Sequence, residues 1–399
     1  MKPMRHYLLG TASWFIAFGV QGVMFAWLVT MVLRESPEMV GLAQMTLLLP
    51  GTLLILIGGT YADRFGGRRI VIGAQSLAAC APLLLVVLIW TEQLTYASML
   101  VYAVLMGCAT AFVTPARDGL LNEIAEGRVQ RAVMLASMIQ FGGQMIGFTL
   151  AAAADMVGPL VVLGTQSLCL ALGVLAFLMI PRPTEGQHLR TGRLLASLAE
   201  GARTVFSSTS MRLIVVQNVA MAIFFMGSYV VAMPLLVREV FNGTARDLAF
   251  TNGSNSLGLV LSIVFLLRFG DVIRQGRALV LSQLAGGLIL TAAALMTSFL
   301  LYVLMLFMWG ACGGIAMTMA RTIMQEQAPE AQRSRVMSFY ALSFMGAGPL
   351  GALYTGYMVE LLGPQQALVL SGGLMAVVAC LLALGSNLWS LKAHQMAPA

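Results

Sequence analysis

The sequence predicts an all-α polytopic membrane protein, with twelve transmembrane helices in two pseudo-symmetric six-helix bundles. Three observations carry this expectation. Of 399 residues, 59% are hydrophobic and only 10% charged, and the mean hydropathy is +0.87. A soluble domain carries roughly a quarter charged residues and could not hide this much apolar surface. Apolar runs of about 20 residues, the length that crosses a hydrocarbon core, recur along the whole chain. The second half of the chain also echoes the first.

Taken in order, the runs cover 8–33, 38–61, 70–90, 94–115, 133–154 and 158–180 in the first half. The second half gives 211–237, 248–268, 278–298, 300–320, 336–359 and 364–386. Lys2 and Arg5 precede the first run, which is too long for a cleaved signal segment and is expected to remain as a membrane helix. The longest polar break, 181–210, opens with PRPTEG and reads as a cytoplasmic linker. It separates an N-terminal bundle, 1–180, from a C-terminal bundle with a short tail, 211–399.

Charge tests this topology. With the N-terminus inside, 20 of the 23 basic residues fall on the inner side, and only Arg34, Arg238 and Arg246 fall outside. Short cytoplasmic loops are the ones enriched in Lys and Arg, and a wrong helix count would scramble the alternation. Both termini are therefore expected in the cytoplasm. The formal charge of +7 does not indicate nucleic acid, because the basic residues are scattered over short loops.

The repeat has a period of half the chain. TPARDGLLNEIAEGRVQRAVML follows the fourth run and MARTIMQEQAPEAQRSRVMSF the tenth. Ala116-Arg117 aligns with Ala320-Arg321, and Arg131 with Arg335, at an offset of 204. Such a doubling implies a pseudo-two-fold axis along the membrane normal.

The loop after the second run, GTYADRFGGRR, places Gly59, Asp63, Arg64, Gly66, Arg68 and Arg69 between two apolar spans. Gly66 and Gly67 permit a tight turn. Asp63 can accept from the free N–H groups of a neighbouring helix N-terminus. A weaker echo stands at Asp271 and Arg277.

Glutamine, asparagine and tyrosine supply the polarity inside the runs: Gln21, Gln140, Gln144, Gln217, Asn218, Tyr229, Asn252 and Asn255. Such groups avoid lipid and face other helices or a wet cavity. In the first run Trp14, Phe18 and Phe25 share a face with Gln21, an apolar wall with one polar handle. The 28 methionines include Met106 and Met317, which are either packing or adaptable contacts for apolar ligands.

Every charged residue is expected in a loop or within about a turn of a helix end, with Asp155 and Glu360 nearest to being exceptions. No mid-membrane carboxylate is visible, so the substrate is expected to be neutral or mostly apolar, or coupling to run through edge residues such as Asp155 or Asp63. Cys80, Cys108, Cys169, Cys312 and Cys380 lie singly in apolar runs, and His6, His188 and His394 form no cluster. Neither a disulfide framework nor a metal site is expected. Nor is there a hydrolase, metalloprotease or nucleotide-binding motif. An enzyme or a cofactor is not expected, and transport would draw on a gradient or run downhill.

The loop at Gly59–Arg69, the 6+6 repeat and the long central break together resemble the major facilitator superfamily over the whole chain. The two aligned loops and Gly348-Pro349-Leu350-Gly351 are similar to the subgroup of macrolide-efflux proteins and the enterobactin exporter. The resemblance implies that Asp63, Arg64 and Arg68 gate the cytoplasmic side, although Gly67 stands where the family usually has a basic residue. It also implies a central cavity lined by the first, fourth, seventh and tenth helices. That places Gln21, Asn218 and Tyr229 toward substrate, with Trp14, Phe25, Met106 and Met317 beside them. Two family features are missing: Ala103 stands where proton-coupled exporters often carry Arg, and Gly147 is followed by Phe148 where Pro is expected.

The expected function is a monomeric secondary transporter of the bacterial inner membrane. It would export a drug-like or siderophore-like hydrophobic or amphipathic compound in exchange for protons by rocker-switch alternating access. A lipid-handling or facilitated uptake carrier without proton coupling is the alternative within transport, and a non-transporting membrane sensor is the alternative outside it.

Overall fold

The structure is a computed structural model, and it describes residues 2–125, 129–181, 194–269, 272–329, 332–385 and 387–390. The helices, in order, are α1 (Lys2–Trp27), α2 (Pro37–Phe65), α3 (Gly67–Trp90), α4 (Tyr96–Ile124), α5 (Val129–Ala152), α6 (Ala154–Val157) and α7 (Pro159–Leu178). The chain continues with α8 (Leu194–Ser207), α9 (Thr209–Met221), α10 (Met233–Glu239), α11 (Ala245–Phe269), α12 (Gln275–Ala294), α13 (Phe299–Gln327), α14 (Arg333–Leu362) and α15 (Pro364–Leu384). Among the described residues, 12 helical stretches are long and apolar enough to cross a membrane. Two of these join several pieces: α5 with α6, and α9 with α10 through two π-helical turns at Ala222–Met226 and Ser228–Ala232. The first span likewise ends in a π-helical turn, Leu28–Val32.

Two spans run deeper than their apolar length predicts. The expected fourth and tenth runs ended at 115 and 320, whereas α4 continues to Ile124 and α13 to Gln327. The TPAR and MARTIMQEQ segments are therefore helical. Pro115 does not break α4. Its ring removes one donor, leaving the Ala111 carbonyl without its partner. That carbonyl lies against Gly58 of α2, where an added Cβ would come within 2.3 Å of the oxygen. A neighbouring helix thus covers the freed group, as membrane helices with proline require.

The turns use residues that tolerate left-handed backbone. Gly66 (φ 88°) ends α2 and starts α3. Gly158 (φ 84°) and Gly363 (φ 81°) each precede a proline at the first helical position, Pro159 and Pro364. Glycine past a helix end and proline just inside the next is the favoured arrangement for both termini. At the start of α4, Thr95 and Ser98 cap each other reciprocally.

The chain divides into two compact units, Met1–Leu194 with Gly243–Asn252, and Leu195–Asn242 with Gly253–Ala399. In the first, α1 packs against α5 and α7, α2 against α4, and α3 against α4 and α7. The α1–α5 seam is a backbone contact. A Cβ on Gly147 would lie 2.2 Å from the Ile16 carbonyl, and one on Gly19 would lie 2.4 Å from the Gln144 carbonyl. In the second unit α12 packs on α13 and α15, and α14 packs on the π-helical turns. Its seam repeats the device. A Cβ on Gly351 would lie 2.5 Å from the Ala222 carbonyl, and one on Gly227 would lie 2.3 Å from the Gly351 carbonyl. Gly147 and Gly351 stand at the same offset of 204 that relates the arginine motifs. Small residues at such crossings let membrane helices gain dispersion contacts where no hydrophobic effect drives association.

Residues 182–193, most of the expected linker's first part, lie outside the described residues. From there α8 docks within the second unit through an ion pair between Glu200 and Arg335 and a hydrogen bond from Thr204 to Gln332. Val205 is buried in that unit's core.

Gly147→Leu is expected to destabilise the protein by ~1–3 kcal/mol or to abolish folded yield, because backbone blocks the new side chain. Gly142→Leu meets open space and is expected to be tolerated. Thermal unfolding of the two purified variants in one detergent checks this.

Candidate transport site

The Gly59–Arg69 loop is built at the α2–α3 corner. Gly66 makes the turn, and Gly67 sits so close to α4 that a Cβ would approach the Ala116 carbonyl to 2.7 Å. This ties the loop to the arginine motif at Ala116-Arg117. Arg68 does not project freely. Its Nε donates to the Ile180 carbonyl and its Nη2 to the Leu178 carbonyl, both at 2.7 Å. It therefore closes the C-terminal end of α7, where free carbonyls and the helix dipole favour a cation. Arg64 lies over the Phe65 ring at 5.3 Å and is exposed, as is Arg69. Gly59 sits in α2, an ordinary 3.8 Å from Pro115. Asp63 lies in the last turn of α2, and its side chain lies outside the described residues, as does Asp271 entirely. Arg277 stacks on Trp389 at 5.3 Å.

The expectation that every charged residue lies in a loop or within about a turn of a helix end fails where α4 and α13 run on, at Arg117, Asp118 and Arg321. Arg117 lies two turns inside α4 and is 7% exposed, the only charged side chain buried among the described residues. It was expected in a loop because the helix was expected to end at 115. Its guanidinium stacks over Phe15 of α1 at 4.6 Å and reaches the Asp118 carboxylate at 3.6 Å. One nitrogen, Nη1, has no partner among the described residues. Arg321, its counterpart in α13, is exposed. The two halves thus use one motif differently. A signal for this was present only in the flanking sequence, where apolar Leu120 and Leu121 continue the helical face beyond Arg117.

The residues expected along a central cavity are mostly buried. Trp14, Gln21, Phe25 and Met106 are each 5% exposed or less. Phe25 stacks on Tyr102 at 5.9 Å. Tyr102 in turn receives a hydrogen bond from Gln166, which also donates to the Ala17 carbonyl. This knot of α1, α4 and α7 was not anticipated. Gln21 Oε1 has no partner among the described residues. The Asn218 amide donates to the Tyr340 carbonyl and to Ser343 of α14 at 3.0 and 2.8 Å. Burial compels such pairing for a carboxamide away from water. Tyr229 is half-buried, with its ring against Trp309 at 6.4 Å. Met317 is exposed.

Asp155 stands in the short α6. Its carboxylate accepts from the backbone N–H groups of Ala245 (3.4 Å) and Arg246 (2.9 Å), the first residues of α11. It acts as an N-cap supplied from another helix, and its negative charge favours the positive end of the α11 dipole.

Known proteins resemble this chain along most of its length. Residues 5–399 match the transmembrane secretion effector family of the major facilitator superfamily. The multidrug efflux pump Tap of Mycobacterium tuberculosis (strain ATCC 25618 / H37Rv) is 26% identical over 86% of this chain and 84% of its own. The enterobactin exporter EntS of Escherichia coli O1:K1 / APEC is 23% identical over 83% of this chain and 79% of its own. A mutant form of the nucleoside transporter NupG superposes with a TM-score of 0.75 at 15% identity, covering 95% of this chain and 98% of the other, which supports the fold alone.

Arg117→Met is expected to leave thermal stability within about 1 kcal/mol of the wild type, or to raise it, because an incompletely paired buried cation contributes little net stability. If Arg117 serves the transport cycle, the same variant loses transport. A large loss of stability would instead make Arg117 a structural residue. Asp155→Ala is expected to cost ~0.5–2 kcal/mol through the lost cap, and Asp155→Asn less. Unfolding midpoints of the purified variants check both.

With a family match spanning almost the whole chain and twelve membrane-crossing helices, the chain belongs to the transmembrane secretion effector family of major facilitator transporters and is a multi-pass transporter of small molecules rather than an enzyme.

Proposed function

We propose that the protein exports a hydrophobic or amphipathic small molecule across the bacterial inner membrane in exchange for protons. The observation that carries the substrate class is the character of the buried interior. Its polar groups are almost all amides and hydroxyls, and Arg117 is the only charged side chain buried among the described residues. A substrate with several fixed charges would find few partners there and would lose its hydration. The direction of transport rests on the relatives, which include an enterobactin exporter and a multidrug efflux pump.

In this reading the protein is a monomer with both termini in the cytoplasm. The bundles 1–180 and 211–399 rock about a midplane cavity, joined by the linker 181–210. Gln21, Tyr229 and Met317 meet the substrate, with Trp14, Phe25, Met106 and Asn218 supporting the cavity walls. Asp63, with Arg64, Arg68 and Arg69, gates the cytoplasmic side, and Asp271 and Arg277 form its looser counterpart. Asp155 is the coupling candidate. Its carboxylate ties the short α6 to the start of α11.

A second reading, carriage without proton coupling, is favoured by one observation: no carboxylate is buried among the described residues. Purified protein in sealed liposomes with a pH-sensitive dye separates the two. Export predicts proton movement that appears only when a hydrophobic compound is supplied. Compound movement without proton flux would select the uncoupled carrier. Asp63→Asn is expected to lower the transport rate at least tenfold while leaving compound affinity unchanged. A fall in affinity would remove Asp63 from the gate.

A further inference from the structure

A groove of about 800 Å³ opens between α1 and α7 of the first unit. One end carries Arg5 and His6, and among the described residues no acidic side chain lines it. From there the walls are apolar, with Leu9 and Ile16 on α1 and Leu172 and Met179 on α7. Leu9, Leu172 and Met179 are each more than half exposed. The one hydroxyl in the wall, on Ser13, is already committed, donating to the Gly10 carbonyl and accepting from Gln75.

Depth fits the membrane. Arg5 and Ile16 are separated by three turns of helix, about 16 Å at the helical rise of ~1.5 Å per residue. A single leaflet contributes about half of a ~30 Å hydrocarbon core. The groove thus runs from a basic mouth at the membrane surface to the midplane, over the depth of one acyl chain. Basic groups at that level attract anionic headgroups. A free phosphate ion would use the mouth and leave the apolar trough uncovered.

We propose that this groove is a binding site for an anionic phospholipid, its phosphate held by Arg5 and His6 and one acyl chain laid between α1 and α7. The site is separate from the proposed central cavity and lies wholly within the first unit.

Native mass spectrometry on delipidated protein tests this, with dioleoyl phosphatidylglycerol and dioleoyl phosphatidylcholine added in equal amounts. The wild type is expected to retain the phosphatidylglycerol about fivefold over the phosphatidylcholine. The double substitution Arg5→Gln/His6→Gln should bring that ratio to about one, whereas Arg5→Lys should keep most of it. Equal retention by the wild type, or a preference that survives the double substitution, overturns the proposal. So does displacement of the bound phosphatidylglycerol by a transported compound, which would make the groove a substrate entrance.

Discussion

The structure depends on helices that touch through their backbones. In lipid no hydrophobic effect pulls two apolar helices together, so they associate where small residues allow close approach. Gly19 and Gly147 create such a seam in the first unit, and Gly227 and Gly351 create one in the second. A Cβ at any of the four would collide with a carbonyl oxygen or come within 2.5 Å of one. These contacts leave little room to slide, so each unit is suited to move as a block.

The same solvent dictates where polar groups go. Charged side chains gather at helix ends, where Arg68 closes α7 and Asp155 caps α11. Inside, amides pair across helices, as Gln166 does with the Ala17 carbonyl and Asn218 with α14. Arg117 stands apart. It is buried against Phe15 with one nitrogen unpartnered among the described residues, and its counterpart Arg321 is exposed. An asymmetric charge within a pseudo-symmetric pair of bundles is where a conformational cycle would find a difference between its halves to exploit.

Much of the fold was legible because hydrocarbon leaves so few options. Twenty-residue apolar runs are enough to count the candidate spans. The ends of α4 and α13 were not legible, since TPARDGLLNE reads as a polar break. Only the cover that Gly58 gives the Ala111 carbonyl explains why Pro115 leaves α4 intact. The site was legible in residue type more than in role. A glutamine or asparagine inside a span must find a partner, yet nothing local says whether that partner is protein or substrate. Asn218 found α14, while Gln21 Oε1 has none among the described residues. Arg68 was read as a gate charge, and its geometry gives it a structural duty at α7 that local sequence could not reveal.

We propose that the two glycine-seamed units act as rigid bodies during transport. Pulsed electron spin resonance measures it directly on pairs of spin labels placed at exposed helix ends. One pair sits within the first unit, on α3 and α7, and one within the second, on α12 and α15. A third pair has one label on each unit. The account predicts that adding a transported compound or shifting pH changes the distance distribution of the third pair and leaves the first two unchanged. Shifts within either unit, with the third pair unmoved, would contradict it.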